Sequence, residues 1–211
     1  MISKFHFITQ DLPDFSHSQL AEFACKGGAD WIQLRVKNKS FDEWKKISEE
    51  TKAICKKYGA KIIINDNVQI AKEISADGVH LGKEDMNPKE ARKILGNNFI
   101  IGGSTNNMED VRWQMENGCD YIGVGPFRFT STREKLNPIL GLEGIKKITQ
   151  EFGNSIPMIS IGGIKLEDIE PLMQTGIHGV AVSSAINLSE NKIEATKNFR
   201  HELHKFALIN S

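Results

Sequence analysis

GGADWIQL, at residues 27–34, is the first of four segments in which small residues lead at once into a short apolar run. The others are SADGVHL at 75–81, GCDYIGV at 118–124 and GIHGVAV at 176–182. A small residue, often a left-handed glycine, is suited to ending a helix, and a short run rich in β-branched residues is typical of a buried strand. Each segment therefore predicts the end of a helix, a tight turn and a strand.

Further apolar runs bring the predicted strands to eight; these runs are Phe5–Thr9, Ala60–Ile64, Phe99–Ile101 and Met158–Ile161. Between strands, residues 41–54 and 111–115 carry apolar side chains at helical spacing. Short continuous strands that alternate with helices indicate a parallel sheet covered on both faces. Eight such units in 211 residues favour a closed barrel over an open doubly wound sheet. We predict an α/β protein, a single (β/α)8 TIM-barrel domain over residues 1–211.

Composition limits the class of function. Lys and Arg together number 27, as do Asp and Glu, so the formal net charge is +0. A neutral chain has no overall field that draws it to nucleic acid or to an anionic membrane, and any anion it binds needs a local site. The first residues lack a signal peptide, and no apolar run is long enough to span a bilayer. We expect a cytoplasmic protein that binds phosphorylated small molecules, and the sequence leaves homo-oligomer formation open.

Polar residues follow the second strand, at the carboxyl end where barrels of this kind place their active sites. Gln33, Arg35 and Lys37 occupy every second position, which puts them on one side of an extended chain. An amide, a guanidinium and an ammonium presented together are suited to a multiply charged phosphate ester. The alternative is a solvated turn.

Two acids follow neighbouring strands, Asp66 after the third and Asp85 after the fourth. Mg²⁺ usually takes one or two carboxylates, with water and phosphate oxygens in its other positions, so the pair predicts a magnesium site beside the cations. The alternative is that each acid caps the helix that follows it, which for Asp85 would begin near Pro88. His80, within an apolar run, is expected to be a hydrogen-bonded core residue.

The last two strands end on small residues, Gly163 after the seventh and Ser183 and Ser184 after the eighth. Glycine lets the backbone approach a ligand, and amides at the start of a short helix bind phosphate well. Because the loops after these two strands form the common phosphate site of such barrels, we predict a phosphate site here. Ser104, after the fifth strand, either reaches a phosphate or caps a helix.

Residues 127–140 are polar and predict a long loop after the sixth strand. Within it, the hydroxyls of Thr130, Ser131 and Thr132 precede the cation of Arg133. This order suits a lid that closes over an anion. The alternative is a surface loop without a function.

Taken in order, these motifs resemble those of the thiamine-phosphate synthase family from the first strand to Ser184. The resemblance is carried by QLRVK at 33–37, ND at 65–66, GVHLGKED at 78–85, GP at 125–126, TST at 130–132, GGI at 162–164 and SS at 183–184. It implies a transferase that joins an aminopyrimidine methyl diphosphate to a thiazole phosphate, giving thiamine phosphate and pyrophosphate.

The resemblance also implies residue roles. The pyrimidine diphosphate would be held by Gln33, Arg35, Lys37, Asn65, Ser104 and Arg133, Mg²⁺ by Asp66 and Asp85, and the thiazole phosphate by Thr130, Ser131, Thr132, Gly163, Ser183 and Ser184. Arg35, Lys37 and Arg133 would act in catalysis by taking up charge on the departing pyrophosphate. The thiazole nitrogen would then capture the pyrimidine methylene cation.

Four positions depart from the family pattern: Lys83 replaces Gln, Arg133 replaces Lys, Asn106 replaces His and His6 replaces Tyr. A thiazole tautomerase of the same fold is one alternative, but it needs a placed base, often His, and Asn106 stands where that His is expected. A non-catalytic barrel that binds thiamine precursors is another, although a complete metal and diphosphate set would then serve no purpose. The sequence favours the synthase.

Overall fold

The structure, a computed structural model, describes residues 1–129 and 138–209, with side chains as far as residue 206. Its eight strands run parallel to their neighbours and close into a barrel in chain order. They are β1 (Phe5–Ile8), β2 (Trp31–Leu34), β3 (Lys61–Asn65), β4 (Gly78–Leu81), β5 (Ile100–Thr105), β6 (Tyr121–Val124), β7 (Met158–Ile161) and β8 (Gly179–Val182). The eight predicted strands and the (β/α)8 barrel are confirmed.

Helices alternate with the strands and cover the outside of the barrel. They are α1 (His17–Lys26), α2 (Phe41–Tyr58), α3 (Val68–Glu73), α4 (Pro88–Leu95), α5 (Met108–Glu116), α6 (Gly141–Phe152), α7 (Ile169–Gln174), α8 (Ser184–Asn187) and α9 (Lys192–Ile209). A 3₁₀ turn at Leu166–Asp168 precedes α7. The helices predicted within 41–54 and 111–115 are α2 and α5. None of the helices described is long and apolar enough to cross a membrane.

Local sequence explains where the first two helices begin. The Ser16 hydroxyl accepts from the Gln19 amide while the Gln19 side chain accepts from the Ser16 amide, which satisfies two otherwise unpaired N–H groups at the start of α1. Ser40 and Glu43 form the same reciprocal pair at the start of α2. Gly59 ends α2 in the left-handed conformation, with φ 70°.

The barrel interior is filled by side chains, which include Ile8, Trp31, Ile63, Tyr121, Ile159 and Ala181. His6 stacks on Trp31 at a centroid distance of 4.3 Å, and burial lowers the pKa of His6 well below its ordinary value. At Gly102 a Cβ atom would lie 2.2 Å from the Tyr121 ring, so only glycine leaves room for that ring. The interior is a packed core, which leaves the ends of the barrel for binding.

A larger apolar layer lies between the strands and the helices. Where β8 meets β1, helix α9 covers the junction, and Phe199 stacks on Phe5 at 6.3 Å. A Cβ atom at Gly27 would lie 2.5 Å from the Thr196 side chain, so α1 and α9 are in close contact. The barrel is thereby closed and covered at the point where its last strand meets its first.

The loop predicted over 127–140 falls partly outside the described residues. Residues 127–129 and 138–140 lie outside helices and strands, and α6 begins at once after them. The prediction for residues 130–137 concerns residues that the structure does not describe.

Candidate active site

The segment that follows β2 lies along the segment that follows β1. Gln33 is buried, Arg35 is half-buried and Lys37 is exposed. The backbone ladder ends where the Thr9 N–H donates to the Gln33 carbonyl at 3.0 Å. Beyond it, the Arg35 N–H donates to Thr9 Oγ1 and the Lys37 N–H donates to Asp11 Oδ2, both at 3.1 Å. The chain therefore stays close to β1 through the region that presents the two cations.

The two predicted metal ligands lie next to each other at the ends of β3 and β4. Lys37 Nζ is 3.0 Å from Asp66 Oδ2, and the Asp66 and Asp85 carboxyl groups are within hydrogen-bonding reach of each other. Asp85 Oδ2 also accepts a hydrogen bond from the Gly82 N–H at 2.6 Å. The structure thus brings together an ammonium and two carboxylates from three neighbouring strand ends.

The Asp66–Asp85 pair has the electrostatics of a cation site. Asp85 is exposed as a residue, but partial loss of hydration at its carboxyl, and then the adjacent Asp66, raise the pKa of Asp85 to about 6. Adjacent carboxylates disfavour joint ionisation, and a divalent cation between them removes that repulsion. Within residues 1–129 and 138–209 no group of three or more His, Cys, Asp and Glu side chains could hold a metal ion. The chemistry of the pair therefore fits an ion that takes its remaining ligands from substrate and water.

The helix caps predicted as the alternative role for these acids are wrong. The Asn67 side chain caps α3 by accepting from the Ile70 N–H at 2.9 Å, and the Asn87 side chain caps α4 by accepting from the Lys89 N–H at 2.8 Å. Asp66 itself has φ 66°, a left-handed conformation that Asp and Asn tolerate better than most residues. In each case a nearby Asn caps the helix and leaves the acid available to a ligand.

A network of buried hydrogen bonds lies in the barrel beneath the ends of β4 and β5. His80 Nδ1 is 3.0 Å from the Tyr121 hydroxyl, and His80 Nε2 is 3.0 Å from Ser104 Oγ. Burial raises the pKa of the Tyr121 hydroxyl, and the Gln33 side chain opposes this shift. His80 is a buried core residue, as predicted, and Ser104 does not cap α5, because Asn107 does so. Ser104 is thus linked through His80 to Tyr121 in the core.

The seventh strand leads into two glycines, Gly162 and Gly163, whose conformation and close neighbours within the protein exclude a side chain. Gly162 and Gly163 have φ 104° and 65°. A Cβ atom at Gly163 would lie 2.7 Å from the Phe129 carbonyl oxygen and 3.1 Å from Arg128 Cβ. The sequence-based reason for Gly163, close approach to a ligand, is therefore incomplete, since the segment after β6 already occupies the space beside it.

The eighth strand leads into the short helix α8, which begins at Ser184. Asn187 Nδ2 donates to the Ile8 carbonyl at 2.8 Å and to the Ser183 carbonyl at 3.1 Å, and it lies 3.2 Å from Ser183 Oγ. These bonds attach the turn after β8 to the end of β1. The start of α8 is thereby held at the carboxyl end of the barrel, beside the glycines that follow β7.

Three residues to which the sequence analysis gave no structural role hold the loops at this end of the barrel in position. Asn106 Nδ2 donates to the Gly125 and Pro138 carbonyls, each at 2.9 Å, and so joins the two ends of the segment after β6. Arg128 binds Asp168 through two hydrogen bonds of 2.8 Å. Lys83 forms an ion pair with Asp110. The departure of Asn106 and Lys83 from the family pattern was the one sequence feature that could have drawn attention to these two residues. No motif includes Arg128.

The carboxyl end of the barrel thus has two parts. The charged half comprises the predicted residues in the last positions of β2 to β5 or shortly after these strands, which are Gln33, Arg35, Lys37, Asn65, Asp66, Asp85 and Ser104. The glycine half comprises Gly162 together with the predicted residues that follow β7 and β8, which are Gly163, Ser183 and Ser184. Thr130, Ser131, Thr132 and Arg133 lie outside the described residues.

Comparisons with known proteins lead to one family. The sequence profile of the family described as thiamine monophosphate synthase matches residues 5–186. The thiamine-phosphate synthase of Flavobacterium johnsoniae is 45% identical over 212 residues, covering 99% of this chain and 100% of that protein. The thiamine-phosphate synthase of Bacteroides fragilis is 46% identical over 90% of this chain and 95% of its own. Among solved structures, the thiamine phosphate pyrophosphorylase from Pyrococcus furiosus superposes with a TM-score of 0.87, at 32% identity and over 96% of both chains.

Proposed function

Since this chain belongs to the thiamine monophosphate synthase family, we propose that the charged half is where its diphosphate substrate reacts. The chain catalyses the condensation of 4-amino-2-methyl-5-(diphosphooxymethyl)pyrimidine with 4-methyl-5-(2-phosphooxyethyl)thiazole, which gives thiamine phosphate and pyrophosphate. The observation that carries the proposed site is the group formed by Lys37, Asp66 and Asp85. A diphosphate is bound by cations together with a divalent metal, and this group supplies a cation and the ligands of the metal.

Asp66 and Asp85 would hold Mg²⁺. When bound, the ion supplies positive charge that neutralises the pyrophosphate as it departs. The support for this assignment is the raised pKa of Asp85 beside Asp66, since it reflects two carboxylates that a cation would relieve. Both side chains are freed from helix capping by Asn67 and Asn87.

In the proposed mechanism the C–O bond between the pyrimidine methylene and the diphosphate breaks, and its electron pair leaves with the pyrophosphate. Arg35 and Lys37 bind the diphosphate oxygens and favour departure as negative charge grows on the leaving group. The thiazole nitrogen donates its lone pair to the methylene carbon and forms the new C–N bond. Bond formation requires no proton to be removed, so the site needs no general base.

Gln33, Asn65 and Ser104 complete the pyrimidine side of the proposed site. The Ser104 hydroxyl is hydrogen-bonded to the buried His80 ring, which is in turn hydrogen-bonded to the Tyr121 hydroxyl. The position of Ser104 Oγ is therefore set before the substrate binds, which is how a site keeps its geometry.

The glycine half would bind the thiazole phosphate through Gly163, Ser183 and Ser184. The support is the adjacency of β7 and β8 and the start of α8 at Ser184, because the loops after these strands commonly bind phosphate in such barrels. Thr130, Ser131 and Thr132 as thiazole phosphate ligands, and Arg133 as a cation for the pyrophosphate, stay predictions from the sequence.

One observation weighs against the tautomerase alternative. The Asn106 amide group donates to the Gly125 and Pro138 carbonyls and carries no basic nitrogen, so it cannot remove a proton from a thiazole. The single domain over residues 1–211, a cytoplasmic location, the lack of a nucleic-acid partner and homo-oligomer formation stay predictions from the sequence.

The direct test mixes purified protein with both substrates and Mg²⁺ and quantifies thiamine phosphate and pyrophosphate. We expect equal molar amounts of the two products, and none when either substrate is omitted. Isomerisation of the thiazole without condensation would establish the tautomerase instead. Binding of both substrates without turnover would establish a non-catalytic binding protein.

A further inference from the structure

The carboxyl end of β1 carries a hydrogen-bonded group that the mechanism above does not use. His17, the first residue of α1, is buried, and its ring lies between Thr9 and Asp11. His17 Nδ1 is 2.8 Å from Thr9 Oγ1, and His17 Nε2 is 3.1 Å from Asp11 Oδ1. We refer to Thr9, Asp11 and His17 as the β1 clamp.

The β1 clamp extends the barrel beyond its last backbone rung. The final backbone bond between these strands runs from the Thr9 N–H to the Gln33 carbonyl. The next two N–H groups that face β1, those of Arg35 and Lys37, are bound by the side chains of Thr9 and Asp11. The backbone that carries Arg35 and Lys37 is therefore held next to β1 by the side chains of Thr9 and Asp11, and not by backbone hydrogen bonds of the sheet.

The hydrogen-bonding roles in the β1 clamp can be assigned. Asp11 Oδ1 is an acceptor when ionised, so His17 Nε2 must carry the proton. Burial lowers the pKa of His17, although Asp11 opposes this, and a neutral ring has Nδ1 as an acceptor. Thr9 then donates its hydroxyl proton to Nδ1 and accepts from the Arg35 N–H. The donors form one continuous chain from Arg35 through Thr9 and His17 to Asp11, and the Lys37 N–H donates to the other oxygen of that carboxylate.

The ring of His17 is not needed to start its helix, because Ser16 and Gln19 already cap α1 reciprocally. Its contacts are directed at Thr9 and Asp11, and through them at the backbone of Arg35 and Lys37. Lys37 in turn forms the 3.0 Å ion pair with Asp66, one of the proposed metal ligands. A shift of this backbone would therefore move both cations relative to the acids.

We propose that His17, with Thr9, is a positioning residue for the condensation, setting where Arg35 and Lys37 meet the diphosphate. This inference depends on the proposed function of the charged half. Neither residue touches substrate in this proposal. Because a displacement of about 1 Å can cost about a hundredfold in rate, a loosened clamp should be visible in turnover even if the protein stays folded.

The test compares variants of the full chain at a temperature where circular dichroism shows each to be folded. His17→Leu removes both ring contacts, Thr9→Val removes the hydroxyl while keeping the branched shape, and Thr9→Ser keeps the hydroxyl. His178→Leu is the matched control, since His178 Nε2 binds the Ile2 carbonyl at 3.0 Å at the opposite end of the barrel. Steady-state kinetics are measured for each substrate separately.

We expect His17→Leu and Thr9→Val to lower kcat by about tenfold to a hundredfold and to raise KM for the pyrimidine diphosphate. KM for the thiazole phosphate should stay unchanged. Thr9→Ser should retain most of the wild-type activity because it keeps the hydroxyl. His178→Leu should alter the stability of the protein without altering its kinetics. Kinetics of His17→Leu that match those of His178→Leu would overturn the proposal and leave the β1 clamp with a role in stability alone.

A double-mutant cycle separates this inference from the proposed site. If His17 acts through the cations, His17→Leu should cost much less in a chain that already carries Arg35→Ala and Lys37→Ala. Full additivity would overturn the positioning role. If Arg35→Ala and Lys37→Ala themselves leave kcat and the diphosphate KM unchanged, the proposed function of the charged half fails instead.

Discussion

The two halves of the barrel's carboxyl end differ in the groups they offer to a phosphate. The charged half presents ionised side chains, among them Lys37 and Asp66 in a 3.0 Å ion pair. The glycine half presents main chain, with Gly162 and Gly163 at positive φ and the start of α8 at Ser184. A side-chain charge can be removed without moving the backbone, whereas a main-chain site is lost only when the backbone moves. The same small substitution should therefore be severe in the charged half and mild in the glycine half.

The largest effect is expected at the two acids. Asp66→Asn and Asp85→Asn remove one charge each with little change of shape, and Asn tolerates the left-handed backbone of residue 66. Turnover should fall by orders of magnitude, measured as pyrophosphate release at saturating Mg²⁺. Asp120→Asn is the control, because Asp120 binds the Ile101 N–H at 2.7 Å at the other end of the barrel. Full activity of both acid variants in the presence of a chelator would overturn the metal assignment.

The second effect concerns Arg133, the cation predicted for the lid. Arg133→Ala should lower the single-turnover rate by about a hundredfold if the residue neutralises the departing pyrophosphate. Arg133→Lys should retain much of the rate because charge matters more here than the fork geometry of the guanidinium. Rapid-quench experiments measure the rate of the chemical step in both variants. An unchanged rate in Arg133→Ala would support the alternative, a surface loop without a function in catalysis.

The third effect tests the division between the halves. Gly163→Val places a branched side chain at φ 65°, with its Cβ atom 2.7 Å from the Phe129 carbonyl oxygen, so the backbone of the glycine half must move. Binding of the thiazole phosphate should weaken strongly, while binding of the pyrimidine diphosphate with Mg²⁺ should change little. Calorimetry with each ligand alone, on protein shown to be folded by circular dichroism, measures both. Equal loss of the two ligands would mean that the halves are not separate sites.

The fourth effect is a pH dependence of the charged half. Because the pKa of Asp85 is raised to about 6 in the folded chain, the folded state holds that proton more tightly than the unfolded state. Without a cation, this group's contribution to the free energy of unfolding is greatest below about pH 4 and declines as pH rises towards about 6. Mg²⁺ competes with the proton, so the rise in Tm on adding Mg²⁺ should be small at pH 5 and larger at pH 7.5. An increment in Tm that is independent of pH would contradict this, and Asp85→Asn serves as the control that lacks the titrating group.

The smallest effect is expected from Ser184→Ala, which deletes a hydroxyl and keeps the main-chain amide at the start of α8. If that amide binds the phosphate, KM for the thiazole phosphate should rise only a few-fold, equivalent to about one neutral hydrogen bond of roughly 1 kcal/mol. Steady-state kinetics with the thiazole phosphate varied would show it. A loss comparable with that of Asp66→Asn would mean that the glycine half also acts through side chains.

The sequence predicts the barrel well because its signal is local and repeated. Each unit from 27–34 to 176–182 carries its own helix end, turn and strand, and every one of those strands is present. The residues of the charged half are predicted for the same reason, since each lies at the carboxyl end of a strand or within four residues of it. The sequence leaves helix capping by Asp66 and Asp85, the alternative to the metal site, open because Asp and Asn serve equally well as caps. The use of Asn67 and Asn87 instead depends on the course of the backbone.

Long-range contacts account for what the sequence does not predict. The β1 clamp joins side chains of Thr9, Asp11 and His17 to main-chain groups of residues 35 and 37, and no local pattern records such a bond. The need for glycine at 163 likewise comes from residues 128 and 129, far away in the chain. Only the closed barrel brings these groups together.

The Asn106 amide, which joins the Gly125 and Pro138 carbonyls, has a consequence for engineering. Because one amide group donates to both carbonyls, Asn106 sets the separation of Gly125 and Pro138, the two ends of the connection after β6. A redesigned connection should therefore keep Asn106, since Asn106→Ala would leave these two carbonyl groups without their donor, and an unsatisfied buried group costs about 1 to 3 kcal/mol.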